Sequence, residues 1–211
     1  MARVKIGNVR TPIDYLKQFF APTGYGLGTQ NGHDCTDCNA AILNGVYYLF
    51  GESAQNHPGH SMQYGCLVVY RRGSYITQVI HYDYFEAKRY SKDGGNTWGE
   101  WEWVNPPMAI GVEYRTTERW NGKPVYTALV DCGTCEGTHH DVSTNIHAIH
   151  MVRHCGHVGG YCLPMINGTL DNMYSAWANV IDSNGYIRVT IYNGSGLVGN
   201  AAEVQVWYTK E

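Results

Sequence analysis

Charged side chains are scarce in this sequence. Lysine and arginine together number 15 and aspartate and glutamate 18, so 16% of the 211 residues are charged, against about 25% in an average soluble protein. The formal net charge is -3 and the pI is near 6.3. Without a basic excess the chain has no surface that could neutralise a run of phosphates, which argues against a dedicated nucleic-acid binder.

Long apolar runs are also missing. Residues 1–18 lack the uninterrupted apolar segment of about 7 to 15 residues that a secretory signal peptide needs. The longest apolar stretches, such as residues 66–70, are far shorter than the ~20 residues that span a bilayer. We therefore expect no signal peptide and no membrane insertion, and the odd number of cysteines, 7, favours synthesis in a reducing cytoplasm.

The motifs of common enzyme classes are absent as well. The sequence contains no Gly-x-Ser-x-Gly, no His-Glu-x-x-His and no Walker-type loop. A glycosidase needs two carboxylates about 5 to 10 Å apart across a sugar, and four acidic residues could be considered for that pair: Asp83, Glu86, Glu100 and Glu102. Acidic residues beside aromatics are equally typical of a passive glycan binder, so we expect a protein that is not an enzyme.

Glycine, tyrosine and tryptophan are abundant instead, at 25, 17 and 6 residues, a composition that suits strands and turns. Short apolar runs between turn residues predict strands at 45–50, 65–71, 75–82, 85–90, 98–104, 125–130, 146–152, 177–181, 186–192 and 203–209. In the last of these Val204, Val206 and Tyr208 share one face. The sequence predicts an all-β protein built from antiparallel sheets.

One helix is predicted, near the N-terminus. Thr11 is a suitable N-cap, Pro12 suits the first helical position, and the apolar stripe at residues 13–20 needs a partner from this chain or another copy. Pro22 and the glycines up to Gly28 end it. We expect a helix and linker at 1–24, a first β domain at 25–108 and a second at 109–211.

Two stretches resemble known modules of phage tails. Residues 44–50 (Asn-Gly-Val-Tyr-Tyr-Leu-Phe), together with residues 90–101 and their Trp98-x-x-Trp101 ending, are similar to the pyocin-knob domain of phage tail fibres. Residues 113–127, with Arg-Trp-Asn-Gly-Lys-Pro-Val-Tyr at 119–126, and the terminal Trp-Tyr-Thr-Lys at 207–210 resemble the C-terminal module of phage and prophage tail proteins.

The resemblance implies a tail fibre or receptor-binding protein of the virion tail, made in the host cytoplasm and released by lysis. It also implies a homotrimer that contacts other tail proteins and a bacterial surface glycan or protein, with a β-sandwich-like tip and no catalytic residues. The helix at 13–20 would then be a piece of shaft. Two alternatives stay open: a structural connector of the tail, and a zinc-stabilised carbohydrate-binding module.

A glycan-binding site typically has aromatic rings beside short polar side chains in a shallow groove. The candidates are Trp98, Trp103, Tyr70, Tyr84 and Trp177. If residues 98–104 form one regular strand, Trp98 lies on the same, solvent-exposed face as Glu100 and Glu102. Trp103 then lies half covered at the strand end, while Trp101 and Trp120 are assigned to the core.

The cysteines offer metal chemistry. Cys35-x-x-Cys38 and Cys132-x-x-Cys135 have the spacing of zinc ligands. A four-thiolate structural zinc site is a candidate in the second half, formed by Cys132, Cys135, Cys155 and Cys162, with His139, His140, His154 and His157 as substitutes. Disulfides formed after release and free buried thiols remain the alternatives. His147 and His150 are expected on opposite faces of one strand.

Overall fold

A computed structural model describes residues 33–50, 54–59, 64–137, 139–163, 175–193 and 198–211. The helix expected at 13–20 lies outside these residues. The described part is all-β, as the sequence predicts, and contains no helix that is long and apolar enough to cross a membrane. The chain forms two compact units, residues 1–105 (unit 1) and 106–211 (unit 2).

The described strands of unit 1 are β1 (His33–Cys35), β2 (Gly45–Phe50), β3 (Tyr64–Arg72), β4 (Tyr75–His81), β5 (Glu86–Ser91) and β6 (Glu102–Asn105). They lie side by side in sequence order. The first pair, β1 and β2, is parallel, and the other pairs from β2 to β6 are antiparallel. Because β1 and β2 run the same way, the chain between them has to cross back along the sheet.

One face of this sheet is buried. Alternation places Leu67, Val69, Ile76 and Ile80 on it. The connection from β1 to β2 lies against the same face, since the side chain of the buried Gln78 of β4 donates to its Cys38 and Ala41 carbonyl oxygens. Polar side chains of β4 and β5 also point to this buried face.

The strand expected at 98–104 is wrong at its start. The observed strand β6 begins at Glu102, and Glu102 and Trp103 are both buried, at 6% and 4% exposure. Residues 98–101 are not part of the strand: a single backbone hydrogen bond joins Gly99 to Tyr90 at 2.9 Å, and the side chains of Trp98 and Trp101 pack on Arg89. The simple alternation that put Glu102 on a wet face therefore does not apply.

The described strands of unit 2 are β7 (Glu113–Trp120), β8 (Lys123–Thr134), β9 (His139–His147), β10 (His150–Val158), β11 (Tyr161–Leu163), β12 (Ser175–Ile181), β13 (Tyr186–Asn193) and β14 (Ala201–Thr209). One sheet has the order β7-β8-β14-β10-β11 and a second, three-stranded sheet the order β12-β13-β9. Neighbouring strands pair antiparallel in both sheets.

The two sheets of unit 2 share one apolar core. Val204, Val206 and Tyr208 of β14 are fully buried in it, which confirms the predicted alternation of this strand. Ile187 and Val189 of the second sheet pack into the same cluster. Unit 2 is thus a β-sandwich, held together by apolar side chains from both layers.

The strand expected at 146–152 is wrong. The chain turns at Ala148, whose amide donates to the Gly185 carbonyl at 2.9 Å, and the Ile149 amide donates to the Thr209 carbonyl at 2.7 Å. His147 therefore ends β9 and His150 begins β10, in the two different sheets. The two histidines therefore lie in different sheets, and the prediction that they occupy opposite faces of one strand is wrong.

Candidate functional site

An open groove of about 600 Å³ lies in unit 1. Three connecting segments form its walls: residue 39 in the β1–β2 connection, residues 56–58 in the β2–β3 connection, and residues 96–101 between β5 and β6. Arg89 of β5 supplies the floor. The lining combines two indoles, a guanidinium and the amides of three asparagines: Trp98, Trp101, Arg89, Asn39, Asn56 and Asn96.

Arg89 lies between the two indoles. Its guanidinium carbon is 4.3 Å from the ring centroid of Trp98 and 4.4 Å from that of Trp101. Arg89 is only 6% exposed, so these cation–π contacts form away from bulk water, where they are strongest. Both tryptophans are half-buried, and the shared cation fixes their orientation.

A buried glutamine holds Arg89 in place. Arg89 Nε donates to Gln78 Oε1 at 2.8 Å. Gln78 is completely buried, and its Nε2 donates to the carbonyl oxygens of Cys38 at 2.6 Å and Ala41 at 2.8 Å. The guanidinium is therefore connected through one amide to the backbone of the β1–β2 connection.

Arg89 keeps its charge in this setting. Burial lowers the pKa of Arg89 to about 10, while the neighbouring Cys38 and Asp37 act in the opposite direction. At neutral pH the guanidinium is therefore protonated. The groove therefore has a cation beneath its aromatic surface.

Three enclosed polar atoms of groove residues have no hydrogen-bond partner among the described residues: Asn39 Oδ1, Arg89 Nη2 and Trp98 Nε1. Two of them donate and one accepts. Buried polar atoms of native proteins are usually paired, so this cluster is unusual. It marks the wall between Asn39 and Trp98 as the place with unused hydrogen-bonding capacity.

The walls of the groove are joined by hydrogen bonds. Trp101 Nε1 donates to the Asn56 carbonyl at 2.8 Å, and Asn56 Nδ2 donates to Asp37 Oδ1 at 2.7 Å. The indole of Trp101 thus connects the third wall to the second, and Asn56 connects the second to the β1–β2 connection. A wall held in this way is preorganised before any ligand arrives.

The loop that leads to Trp98 is fixed by Asp93. Its carboxylate accepts hydrogen bonds from the Thr97 hydroxyl at 2.7 Å, the Thr97 amide at 2.9 Å and the Ser91 hydroxyl at 2.8 Å. These bonds lower the pKa of Asp93 to about 2, and the two bonds from Thr97 have the largest effect. The hydrogen bonds to Asp93 thus fix the loop at 91–97, which leads into the groove wall.

Of the aromatic residues predicted for a glycan site, Trp98 lines the groove. Trp103 is buried and stacks on Tyr82 with ring centroids 6.4 Å apart, so its ring belongs to the core. Tyr70 and Tyr84 are exposed, at 60% and 80%, but neither lines the groove. Tyr70 points to the sheet face opposite that of its buried neighbour Val69.

Trp177 lies in β12 opposite Ile191, and its side chain lies outside the described part of the structure. Trp101, which sequence reasoning placed in the core, is half-buried and lines the groove. Arg89 was missed altogether. Arg89 points to the same side of β5 as Ala87 and Ser91, which are small and buried, and this alternation is the pattern that could have indicated its burial.

The structure does not bring the four predicted zinc ligands together. Cys132 and Cys135 are buried in the core of unit 2, whereas Cys155 and Cys162 are exposed. Cys155 pairs with Gln205, which alternates with the buried Val204 and Val206, so it faces away from that core. Among the described residues no group of three or more His, Cys, Asp or Glu side chains could hold a metal ion.

The fold and the groove define an all-β protein whose first unit carries an aromatic groove with a rim of amides. No protein-family model matches the sequence, and no curated protein matches it.

Among solved structures, the chain is similar to a C-terminal fragment of the R1 pyocin fibre of P. aeruginosa, at 13% identity and a TM-score of 0.32, over 88% of this chain and 69% of that chain. An N-truncated R2-type pyocin tail fibre gives 11% identity and a TM-score of 0.28, over 83% of this chain and 95% of that chain. A C-terminal fragment of the P. aeruginosa R2 pyocin fibre gives 10% identity and a TM-score of 0.28, over 83% and 65%. TM-scores of this size do not define a shared fold, so these likenesses carry no conclusion about function.

Proposed function

We propose that this chain is part of a phage tail fibre and that it attaches the tail to a bacterial surface glycan through the groove of unit 1. The observation that carries the proposal is the stack of Trp98, Arg89 and Trp101 in a groove whose rim contributes asparagine amides. The resemblance of residues 90–101 and 113–127 to tail-protein modules supports the setting in a tail.

The groove has the chemistry that a sugar needs. The C–H faces of a pyranose ring pack on indoles, and the cation behind the indoles holds both rings in position. Asn56 Nδ2 already donates to Asp37 and Asn96 Nδ2 to the Asp93 carbonyl, and Asn39 Oδ1 is enclosed, so Asn56 and Asn96 offer a hydroxyl group their second amide N–H and their Oδ1. Because the walls are joined before binding, little side-chain ordering remains to be lost on association.

The proposed activity is binding without catalysis. Hydrolysis of a glycosidic bond uses two carboxyl groups on either side of the sugar. Among the described residues that line the groove, Glu100 alone carries a carboxylate. A second acidic group would have to come from elsewhere, so we propose that the glycan is held and not cleaved.

Trp98→Ala tests the proposal directly. Binding would be measured on a panel of bacterial surface polysaccharides and of whole cells, with Trp120→Ala as a control: the sequence assigned Trp120 to the core, but it is an exposed tryptophan of unit 2, at 45%. We expect Trp98→Ala to weaken binding at least about tenfold, the effect of removing a central aromatic contact, and Trp120→Ala to leave it unchanged.

Equal binding by the folded Trp98→Ala variant and the unaltered protein would overturn the groove as the site. No binding anywhere on the panel would favour a structural connector of the tail. The proposed fibre is a homotrimer located in the virion tail, and native mass spectrometry tests this part, since three chains of 23.6 kDa give a distinct mass.

A further inference from the structure

Two thiols meet beneath the groove. Cys35 is the last residue of β1, and Cys38 lies three positions later, in the turn that comes next. Both residues are buried, at 5% and 0% exposure, and both are free thiols in the structure. A hydrogen bond between the two thiols is the main cause of their opposite pKa shifts. Two neighbouring thiols within one turn are placed where a disulfide can be considered.

The backbone around the two thiols is held from both sides. The Cys38 amide donates to the Gln55 carbonyl at 3.0 Å, and the Gln55 amide donates to the Thr36 carbonyl at 2.8 Å. Asp37 Oδ1 accepts from the Asn39 amide at 2.8 Å. The turn is therefore fixed with the sulfur atoms side by side, so closing the bond needs little rearrangement of the chain.

The same turn connects to the indoles. The carbonyl oxygen of Cys38 accepts from Gln78, Gln78 accepts from Arg89, and Arg89 lies between Trp98 and Trp101. The next residue, Asn39, lines the groove. A change in the geometry or mobility of the Cys35–Cys38 turn therefore reaches the groove through a short series of direct contacts.

We propose that Cys35 and Cys38 form a reversible disulfide, and that this bond rigidifies the floor of the groove. The formation of the disulfide does not depend on the proposed function. The second part of the proposal gives the proposed glycan site a redox dependence: hydrogen bonds already order the reduced site, and the disulfide restrains it further in oxidising surroundings than in the reducing host cytoplasm.

The reaction is a thiol–disulfide exchange with a small-molecule disulfide such as oxidised glutathione. The thiolate of Cys35 attacks one sulfur of the small molecule, forming a mixed disulfide and expelling one thiolate. The Cys38 thiol then loses its proton and attacks the Cys35 sulfur, expelling the second thiolate. The protein dithiol loses two electrons and two protons, and the small disulfide becomes two thiols.

The roles of the two cysteines are set by their environments. The hydrogen bond from Cys38 lowers the pKa of Cys35, while the same bond and burial raise the pKa of Cys38. Cys35 is therefore the sulfur that ionises first and attacks. It lies on an edge strand of only three residues, β1, so a local opening exposes it to a small molecule.

The second Cys-x-x-Cys of the chain is the matched control. Burial, with the charge of Cys135 as a smaller cause, raises the pKa of Cys132 to about 12. Its thiol lies 3.8 Å from the Val130 carbonyl. Cys132 stays protonated at neutral pH and is a poor nucleophile, so the same spacing is expected to react far more slowly in unit 2.

The test uses the full chain in glutathione buffers that run from reducing to oxidising. After an acid quench, free thiols are alkylated and the sites are mapped by mass spectrometry. In a time course at a fixed oxidising glutathione ratio, we expect the Cys35–Cys38 peptide to pass from dithiol to disulfide, losing two hydrogen atoms and becoming resistant to alkylation, sooner than the Cys132–Cys135 peptide. The variant Cys132→Ser/Cys135→Ser should keep this transition, and Cys35→Ser/Cys38→Ser should lose it.

The effect of the disulfide on the groove is measured without any glycan, by hydrogen exchange and by circular dichroism. Hydrogen exchange at the amides of Cys38 and Gln55 should slow about tenfold on oxidation, with a change in near-UV circular dichroism that Trp98→Phe reduces. Free thiols throughout the series would overturn the disulfide. A disulfide that leaves exchange and dichroism unchanged would overturn the rigidification. If the bond forms and firms the groove but no glycan binds, the proposed function fails and this proposal stands.

Discussion

Gln78 and Arg89 are neighbours across β4 and β5, and their side chains meet in the interior of unit 1 through a 2.8 Å hydrogen bond from Nε to Oε1. Arg89 is thus a buried cation stabilised by a neutral amide and two aromatic faces. Its planar guanidinium can stack and donate at the same time, which an ammonium group cannot do.

The first prediction concerns this guanidinium. Arg89→Lys keeps the charge but removes the planar stack and leaves Gln78 Oε1 without its donor, so we expect unfolding to become easier by about 1 to 3 kcal/mol. Urea denaturation followed by tryptophan fluorescence measures the change. Lys88→Arg, on the exposed side of the same strand, should be neutral. An Arg89→Lys protein as stable as the original would contradict the structural role of the stack.

The second prediction concerns pH. The pKa of Asp93 in the folded protein is about 2, below its ordinary value of 3.8. The unfolded chain therefore takes up the proton first as pH falls, so the stabilisation by Asp93 is complete above about pH 5 and is lost between about pH 4 and 2.

Asp93→Ala should accordingly lower the melting temperature at neutral pH, and the difference from the unaltered protein should shrink as the pH approaches 2. Differential scanning calorimetry across this range measures both. Asp83→Ala, at another exposed carboxylate of unit 1, provides the comparison. A difference that stays constant with pH would show that the carboxylate charge is not what stabilises the loop.

The third prediction concerns a close contact between strands of unit 2. A Cβ at Gly156 would lie 2.3 Å from the Glu203 carbonyl oxygen and 3.0 Å from the Val204 Cα. Both atoms belong to the backbone of the paired strand β14, so β10 cannot accept a methyl group without moving. We expect Gly156→Ala to destabilise unit 2 by about 2 kcal/mol or more.

Gly160 supplies the control, since a Cβ there would meet nothing within 4 Å. Gly160→Ala should leave thermal unfolding nearly unchanged, and Gly156→Ala should lower the transition clearly. Equal melting temperatures for the two variants would mean that β10 and β14 can separate at little cost.

The sequence was informative where burial has a simple period. Strand β14 was predicted because one face is apolar throughout. Strands β9 and β10 were not, since their residues are mostly polar and β9 has no fully buried side chain. The parallel strand β1 has only three residues, too few to show any periodicity.

The site was predicted in part for a similar reason. Trp98 was identified because strand alternation placed it with Glu100 and Glu102 on a solvent-facing side; Glu102 is buried and the strand begins only there, yet Trp98 does line the groove. Arg89 was missed because a charged residue in a short strand is normally solvated, and its burial depends on Cys38 and Ala41, which hold Gln78 from about forty positions away in the chain. Contacts of that range are not visible in local sequence patterns.

The division of the groove between loops and strands has a consequence for how such a protein can diversify. Asn39, Asn56 and Asn96 lie in three connections, whereas Arg89 and its support Gln78 lie in strands. Substitution of Asn39 or Asn96 changes the polar rim and leaves strand pairing and the stacked floor in place, whereas Asn56 also joins two walls through Asp37 and Trp101. Under the proposed function, Asn39 and Asn96 can therefore change one at a time while the sheet still folds, and a change at Asn56 also affects a wall of the groove.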